Sequence, residues 1–365
     1  FPDNNVYCFD ENNRLRYAGP LSNLPRPDLL TAQDAKLHII TSDELFLKNS
    51  VLNTASYIVF QNNGVTYVEN GQTGYVEYSS SNAADAIQYA VNNGSRIFIK
   101  SGTYTITQQI SLRSNIIIEG ESAGIYAQDI GGGSAPAAPG VILQIPSTTT
   151  GFTHVFAASD PNNSFTNIIL KHLGVTGGGL VRFGSSNQEW GTGSAIIENV
   201  TCDAWTLYSN GTNIYCLDIW HSLHIYARSV YALGMPVLRF ATDFTTNTWN
   251  FGNSVFEELF SNGAPSNVPN FNIYSAGGQN NTMMNLLVFI RPQTLGSGMG
   301  FVLDGETSYV RDVTIIGADL ENSLGLVLKG LVDSVYANLH YPYGVTICEN
   351  SAGNIPTLPV GQYQL

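Results

Sequence analysis

Short runs rich in β-branched and aromatic residues recur along this chain at a nearly constant interval, and that recurrence limits its fold more than any other feature. Asn167-Ile168-Ile169-Leu170, Ala195-Ile196-Ile197-Glu198, Leu223-His224-Ile225-Tyr226, Ser254-Val255-Phe256-Glu257, Met284-Asn285-Leu286-Leu287, Val310-Arg311-Asp312-Val313 and Ser334-Val335-Tyr336-Ala337 begin about 24 to 31 residues apart. Weaker runs fall between them: Leu180-Val181-Arg182-Phe183, Val237-Leu238-Arg239-Phe240, Gly300-Phe301-Val302-Leu303 and Gly325-Leu326-Val327-Leu328. This spacing suits a solenoid in which each coil supplies three short strands and three corners. Alternation then turns residues such as Ile168 and Leu170 inward, onto their equivalents in the next coil, while backbone hydrogen bonds run between coils.

Residues 80–120 show how such a stack would begin. Asn82 is a candidate N-cap with Asp85 three residues on, and Ala84, Ile87 and Val91 recur at helical spacing, which predicts a helix over about 82–93. Asn92-Asn93-Gly94 is a stop signal. The period then changes to that of strands in Arg96-Ile97-Phe98-Ile99-Lys100, Thr103-Tyr104-Thr105-Ile106-Thr107 and Asn115-Ile116-Ile117-Ile118-Glu119. Ser101-Gly102 and Arg113-Ser114 separate these runs without a two-residue hairpin signal, so the chain is expected to turn corners instead of doubling back.

The helix of AADAIQYAV type, the Gly102-Thr103-Tyr104 turn, the Ile110-Ser111-Leu112 segment and the run from Ser114 to Glu121 resemble the first coils of pectin-lyase-like right-handed parallel β-helices. The preceding Tyr57-Ile58-Val59-Phe60 and Thr73-Gly74-Tyr75-Val76-Glu77-Tyr78 are similar to the lead-in of such proteins on the surfaces of thermophilic archaea and in virus tails. The resemblance implies an all-β right-handed parallel β-helix with an N-terminal capping α-helix and a distinct N-terminal segment. It leaves function open, because this scaffold carries lyases, hydrolases and non-catalytic receptor-binding proteins.

The expected organisation is an attachment or capping segment over 1–53, the β-helix over 54–351 and a tail over 352–365. The first segment holds Pro20, Pro25 and Pro27 and a candidate strand at Leu37-His38-Ile39-Ile40. Its poor periodicity suits anchoring to another subunit or component. A start at Phe1-Pro2-Asp3 instead of Met predicts removal of something ahead of it. Residues 122–140, with three consecutive glycines at 131–133, read as a loop inserted between coils.

Charged residues make up only 12% of the chain, and 15 Lys plus Arg face 28 acids for a net charge of −13, which argues against nucleic acid as a partner. No apolar run reaches the length of a membrane span. The four cysteines, Cys8, Cys202, Cys216 and Cys348, have no zinc spacing. Cys202 and Cys216 are the closer pair for a disulfide, the alternative being buried free thiols. Asn-x-Ser/Thr triplets at Asn93, Asn162, Asn199, Asn210 and Asn280 permit glycosylation, although an Asn-, Ser- and Thr-rich chain produces about this many by chance. The polar, weakly charged composition reads as extracellular, on a cell or virion surface.

With acids scarce, those beside aromatic residues are the candidates for chemistry. Cys202-Asp203-Ala204-Trp205 and Cys216-Leu217-Asp218-Ile219-Trp220-His221 each place Asp and Trp two apart, on one face of an extended strand, and Glu189-Trp190 adds a third pair. Indole packs on the axial hydrogens of a sugar while a carboxylate bonds its hydroxyls, which makes Trp190, Trp205, Trp220, Asp203 and Asp218 candidate glycan contacts. A carboxylate pair drawn from Glu189, Asp203 and Asp218 could hydrolyse a glycosidic bond at the right separation. The competing reading makes each Asp a corner residue bonding turn amides and each Trp a shield for a coil edge.

Asp304-Gly305-Glu306 and Asp319-Leu320-Glu321 lack an EF-hand pattern, and His221 and His224 have the wrong strand spacing for a shared metal, so neither metal nor cofactor is expected. Arg291-Pro292 is not followed by the second Arg of the pectate-lyase pattern, the polygalacturonase motifs are missing, and there is no Gly-x-Ser-x-Gly. The leading expectation is therefore a non-catalytic receptor- or glycan-binding fibre component that assembles as a homotrimer or larger oligomer through its N-terminal segment. The alternatives are a tailspike-type, carboxylate-dependent polysaccharide depolymerase and a purely structural rod.

Overall fold

The computed structural model describes residues 5–9, 15–20, 55–123, 140–186, 189–204, 214–244, 250–265, 268–276, 283–296, 299–321, 325–340 and 345–348. Its backbone forms two units, 1–54 and 55–365. In the first, β1 (Asn5–Phe9) pairs antiparallel with β2 (Leu15–Pro20). The strand expected at 37–40, most of the inserted loop and the C-terminal tail lie outside the described residues.

The second unit opens on an antiparallel meander of β3 (Tyr57–Asn62), β4 (Val65–Asn70) and β5 (Val76–Ser80). Here the chain doubles back, whereas the runs from Arg96 onward, for which corners were expected, pair in parallel. Asn63 and Gly64 both have positive φ, 51° and 77°, as a type I′ turn requires, and Asn-Gly is the dipeptide that adopts it at least cost.

The cap follows as α1 (Ala83–Asn93). The Asn82 side chain accepts from the Ala84 amide at 3.2 Å, while Asp85 accepts from Gln108 Nε2 at 2.6 Å and so ties the helix to a neighbouring corner instead of closing a capping box. Ala83, Ala84, Ala86, Ile87, Ala90 and Val91 are buried against the stack. At the other end, Arg113 Nε donates to the Val91 carbonyl at 2.7 Å, satisfying an acceptor that the helix leaves open. Gly94 is extended, and a Cβ there would lie 2.6 Å from the Tyr57 ring, so close packing accounts for this glycine.

From here the strands pair parallel in three stacks. The first contains β3, β6 (Arg96–Ile99), β9 (Ile116–Gly120), the leading parts of β12 (Ile168–Thr176), β14 (Ala195–Asp203), β16 (Ile225–Leu233) and β18 (Asn250–Asn262), then β20 (Met283–Ile290) and the middles of β22 (Met299–Glu321) and β23 (Leu326–His340). The second runs from β7 (Gly102–Thr105) and β10 (Val141–Gln144) through the trailing parts of β12, β14, β16 and β18, then β21 (Gln293–Leu295) and the end of β22. The third holds β8 (Ile110–Ser111), β11 (His154–Ala158), β13 (Gly179–Phe183), β15 (Leu217–Trp220), β17 (Leu238–Thr242), β19 (Pro269–Ser275), the starts of β22 and β23, and β24 (Val345–Cys348). The result is an almost all-β, solenoid-like repeat with a single helix among the described residues.

All seven recurring runs belong to the first stack, and the four weaker ones to the third. Inside, Ile97, Ile118, Leu170, Ile197, Ala227, Phe256, Phe289 and Ile315 form one register column of fully buried side chains. Each large side chain buried this way contributes about 1.5 to 3 kcal/mol. Corners are made by left-handed residues that also stack: Asn115, Asn167, Asn253 and Asp312 before the first stack, and His172, Asn199, Ser229 and Glu258 after it. Asn and Asp tolerate this region better than most residues, and Asn167 Nδ2 donates to Asn115 Oδ1 at 2.8 Å from one coil to the next.

Candidate functional site

The third stack carries the candidate chemistry on its outward side. Arg182, Asp218, Arg239 and Asn272 occupy one outward position in successive coils, and Trp220, Ala241, Tyr274, Asp304 and Lys329 the next. Asp218 is only 2% exposed. Arg239 grips it in a fork, Nε to Oδ1 at 2.7 Å and a terminal nitrogen to Oδ2 at 2.6 Å, and Trp220 Nε1 donates to Oδ1 at 2.9 Å. Arg182 Nε stands 3.6 Å from Oδ2. Burial alone would raise the Asp218 carboxyl, but the hydrogen bonds and charge of Arg239, with lesser help from His154 and Arg182, hold it below the usual range. The Arg239 guanidinium also lies 5.0 Å from the centres of both the Tyr215 and Trp220 rings.

These contacts remove two residues from the surface on which the sequence had placed a sugar. Both Asp218 oxygens already have donors, and Trp220, 6% exposed, offers no open ring face. Asp203 ends a strand of the second stack, in register with Thr176 and Leu233, so its position is on a different stack from Asp218. Trp190 is partly buried, its ring 4.9 Å from that of Phe244 and 5.8 Å from that of Phe251. Trp205, Asn210 and Asn280 lie outside the described residues, whereas Asn93, Asn162 and Asn199 are exposed. Cys202 and Cys216 are joined by a disulfide, with Cα atoms 5.7 Å apart.

Glu189 is half-buried and lines a groove on this flank. A groove of about 610 Å³ is lined by Gln109, Phe152, Thr153, Arg182, Ser185 and Glu189 together with further small and hydroxyl residues. Ser185 Oγ donates to Glu189 Oε2 at 3.1 Å. The groove thus combines a carboxylate, a guanidinium, an amide, hydroxyls and one aromatic ring, a set able to hydrogen-bond and stack a polyhydroxylated ligand.

Behind the groove, the Glu189 carbonyl meets His221 Nδ1 at 2.8 Å. A carbonyl only accepts, so Nδ1 carries the proton. His221 Nε2 lies 2.8 Å from Asp243 Oδ1 and accepts from the Asp243 amide at 3.1 Å. Burial pushes His221 down to about 4 and Asp243 up to about 6. His154, also buried, is lowered to about 4, with Nε2 2.9 Å from the Tyr215 carbonyl and Nδ1 2.8 Å from Thr153 Oγ1. His224 points elsewhere, to the Gly193 carbonyl at 3.0 Å. Among the described residues, no three His, Cys, Asp or Glu side chains converge as a metal site.

The partnership of Asp218 with two arginines was missed in the sequence, although a signal was present. Val181-Arg182-Phe183, Leu217-Asp218-Ile219 and Leu238-Arg239-Phe240 share an apolar–charged–apolar pattern, and aligning these three segments on one another puts the three charges side by side. Nothing local marked Gln109, Phe152 or Ser185.

No family model matches this chain, and no curated protein does. Among solved structures it is similar to the A-module of the mannuronan C-5 epimerase AlgE6 of Azotobacter vinelandii, at 12% identity and a TM-score of 0.32, over 73% of this chain and 94% of that one. It is also similar to the Streptococcus pneumoniae surface protein and adhesin PfbA, at 11% identity and a TM-score of 0.24, over 74% of this chain and 97% of that one. Among the described residues, no helix is long and apolar enough to cross a membrane.

Proposed function

We propose that this chain is a right-handed parallel β-helix of the pectin-lyase-like kind that binds a glycan or glycosylated receptor as part of an extracellular fibre on a cell or virion surface. The groove on the third stack is the observation that carries this reading, since its lining pairs hydrogen-bonding groups of both kinds with the Phe152 ring. A glycan array followed by calorimetric titration tests it. Phe152→Ala should weaken binding of any glycan so found by about fivefold to tenfold through loss of ring stacking, while failure of the whole chain to retain any glycan would overturn the proposal.

A second reading, glycan cleavage, is favoured by Glu189, a carboxylate open to the groove beside the Ser185 hydroxyl. It would need a second group to act as the partner acid or base, and Glu189 is the one carboxylate among the described residues lining the groove. Steady release of reducing ends from a bound polysaccharide, abolished by Glu189→Gln, would establish cleavage and displace the binding-only reading.

A further inference from the structure

The outward side of the first stack combines paired charges with exposed apolar side chains. One outward column runs in strand register through Ile169, Ile196, Tyr226, Val255, Val288 and Tyr336, among others. Beside it runs a ladder of alternating sign, Glu119, Lys171, Glu198, Arg228 and Glu257, which continues as Ile290 and Ile316. Its charges neutralise one another from coil to coil. Lys171 meets Glu198 at 2.6 Å, Arg96 meets Glu119 at 2.9 Å, and Arg228 approaches Glu257 at 3.7 Å. Arg291 completes the set, 2.6 Å from Glu258. Four cations and four acids are thus balanced here, on a chain whose net charge is −13.

Beyond Glu257 the ladder positions themselves are apolar, while Arg311 and Asp333 pair at 3.2 Å on the same stack. Leu286, Ile316 and Tyr336 are 50%, 44% and 38% exposed, and they are three of the five large hydrophobic side chains exposed to this extent among the described residues. Leu286 occupies the left-handed corner column, at a φ of 52°, where the neighbouring coils have Asn253 and Asp312. A leucine there is conformationally disfavoured, and half of it stays exposed within its own chain.

We propose that this flank is the contact face between two copies of this chain. Over most of its surface, a chain of this charge repels its own copy, and here that repulsion is cancelled. The alternation repeats at the spacing of adjacent strands, about 4.8 Å. An identical ladder displaced by one rung presents opposite charges at the same spacing, which a partner lacking such a stack would not. The seven rungs at that spacing span about 29 Å, a length of the order that a standard interface of about 800 Å² per partner requires.

Sedimentation velocity of the full chain at micromolar concentration should show a dimer or higher oligomer. Leu286→Lys combined with Ile316→Lys should weaken that association by at least about tenfold, because both side chains are exposed and would leave charge buried in the contact. As a second variant that leaves the apolar patch untouched, Lys171→Glu with Arg228→Glu should make the flank repulsive and dissociate the assembly, more so at low salt. The wild-type chain remaining monomeric would overturn the proposal, as would an assembly unaffected by both double variants. Neither result touches the groove, which lies on another stack.

Discussion

The first and third stacks share one interior and the same parallel pairing, yet their outward sides have opposite characters. On the first, the charges of the ladder meet their opposites one coil away on a partly exposed surface, as in the Lys171–Glu198 pair with 30% and 25% of the side chains exposed. On the third, one carboxylate is buried between two guanidinium groups and beneath aromatic rings. In a solenoid the inward columns maintain the fold, so the outward columns are free to diverge, one into a regular surface and the other into a packed, irregular flank that includes a groove.

The contrast can be broken most sharply at Asp218. Asp218→Ala leaves Arg239 and Arg182 without their shared anion in a desolvated place, and thermal or denaturant unfolding should report a loss of about 3 kcal/mol. A cost below about 1 kcal/mol would place this pair with ordinary surface bridges.

A subtler difference lies in the pH response of the third flank. His154 and His221 have folded values lowered to about 4, so each contributes stability that is present above the unfolded histidine range and lost as pH falls toward 4. Asp243, raised to about 6, has the opposite sign: its contribution is present at low pH and is lost as pH rises through 6. Between about pH 4 and 6 the two members of the His221–Asp243 pair therefore offset each other. Asp243→Asn removes one side of that balance, and its melting temperature should fall more steeply on acidification over this window than that of the wild type. An unchanged slope would show that the pair does not titrate as its burial implies.

The smallest effect is expected on the first flank. Lys171→Ala should shift stability by no more than about 0.5 to 1 kcal/mol, the usual worth of a partly exposed pair, and a loss matching that of Asp218→Ala would erase the distinction between the flanks.

Much of the fold was legible in the sequence because burial leaves a periodic trace. Ile168, Leu170 and Ile197 had to be apolar and correctly spaced to stack, so their coils can be counted along the sequence. The second stack left little trace, since strands as short as Gln293–Leu295 carry too few residues to show alternation. The lead-in hairpin at Asn63-Gly64 was written locally and overlooked. Asp218 and Trp220 were rightly singled out as a pair sharing a face, but their partner Arg239 lies 21 residues further on.

By itself, then, the sequence determined the coil length, the inward columns and the capping helix, all of which follow from short-range patterns that each coil must repeat. Only the tertiary structure decided which outward side chains became neighbours. Gln109, Phe152, Arg182 and Glu189 come together at one groove because parallel register brings residues from distant parts of the chain side by side. An outward column has no periodic requirement to reveal it in advance.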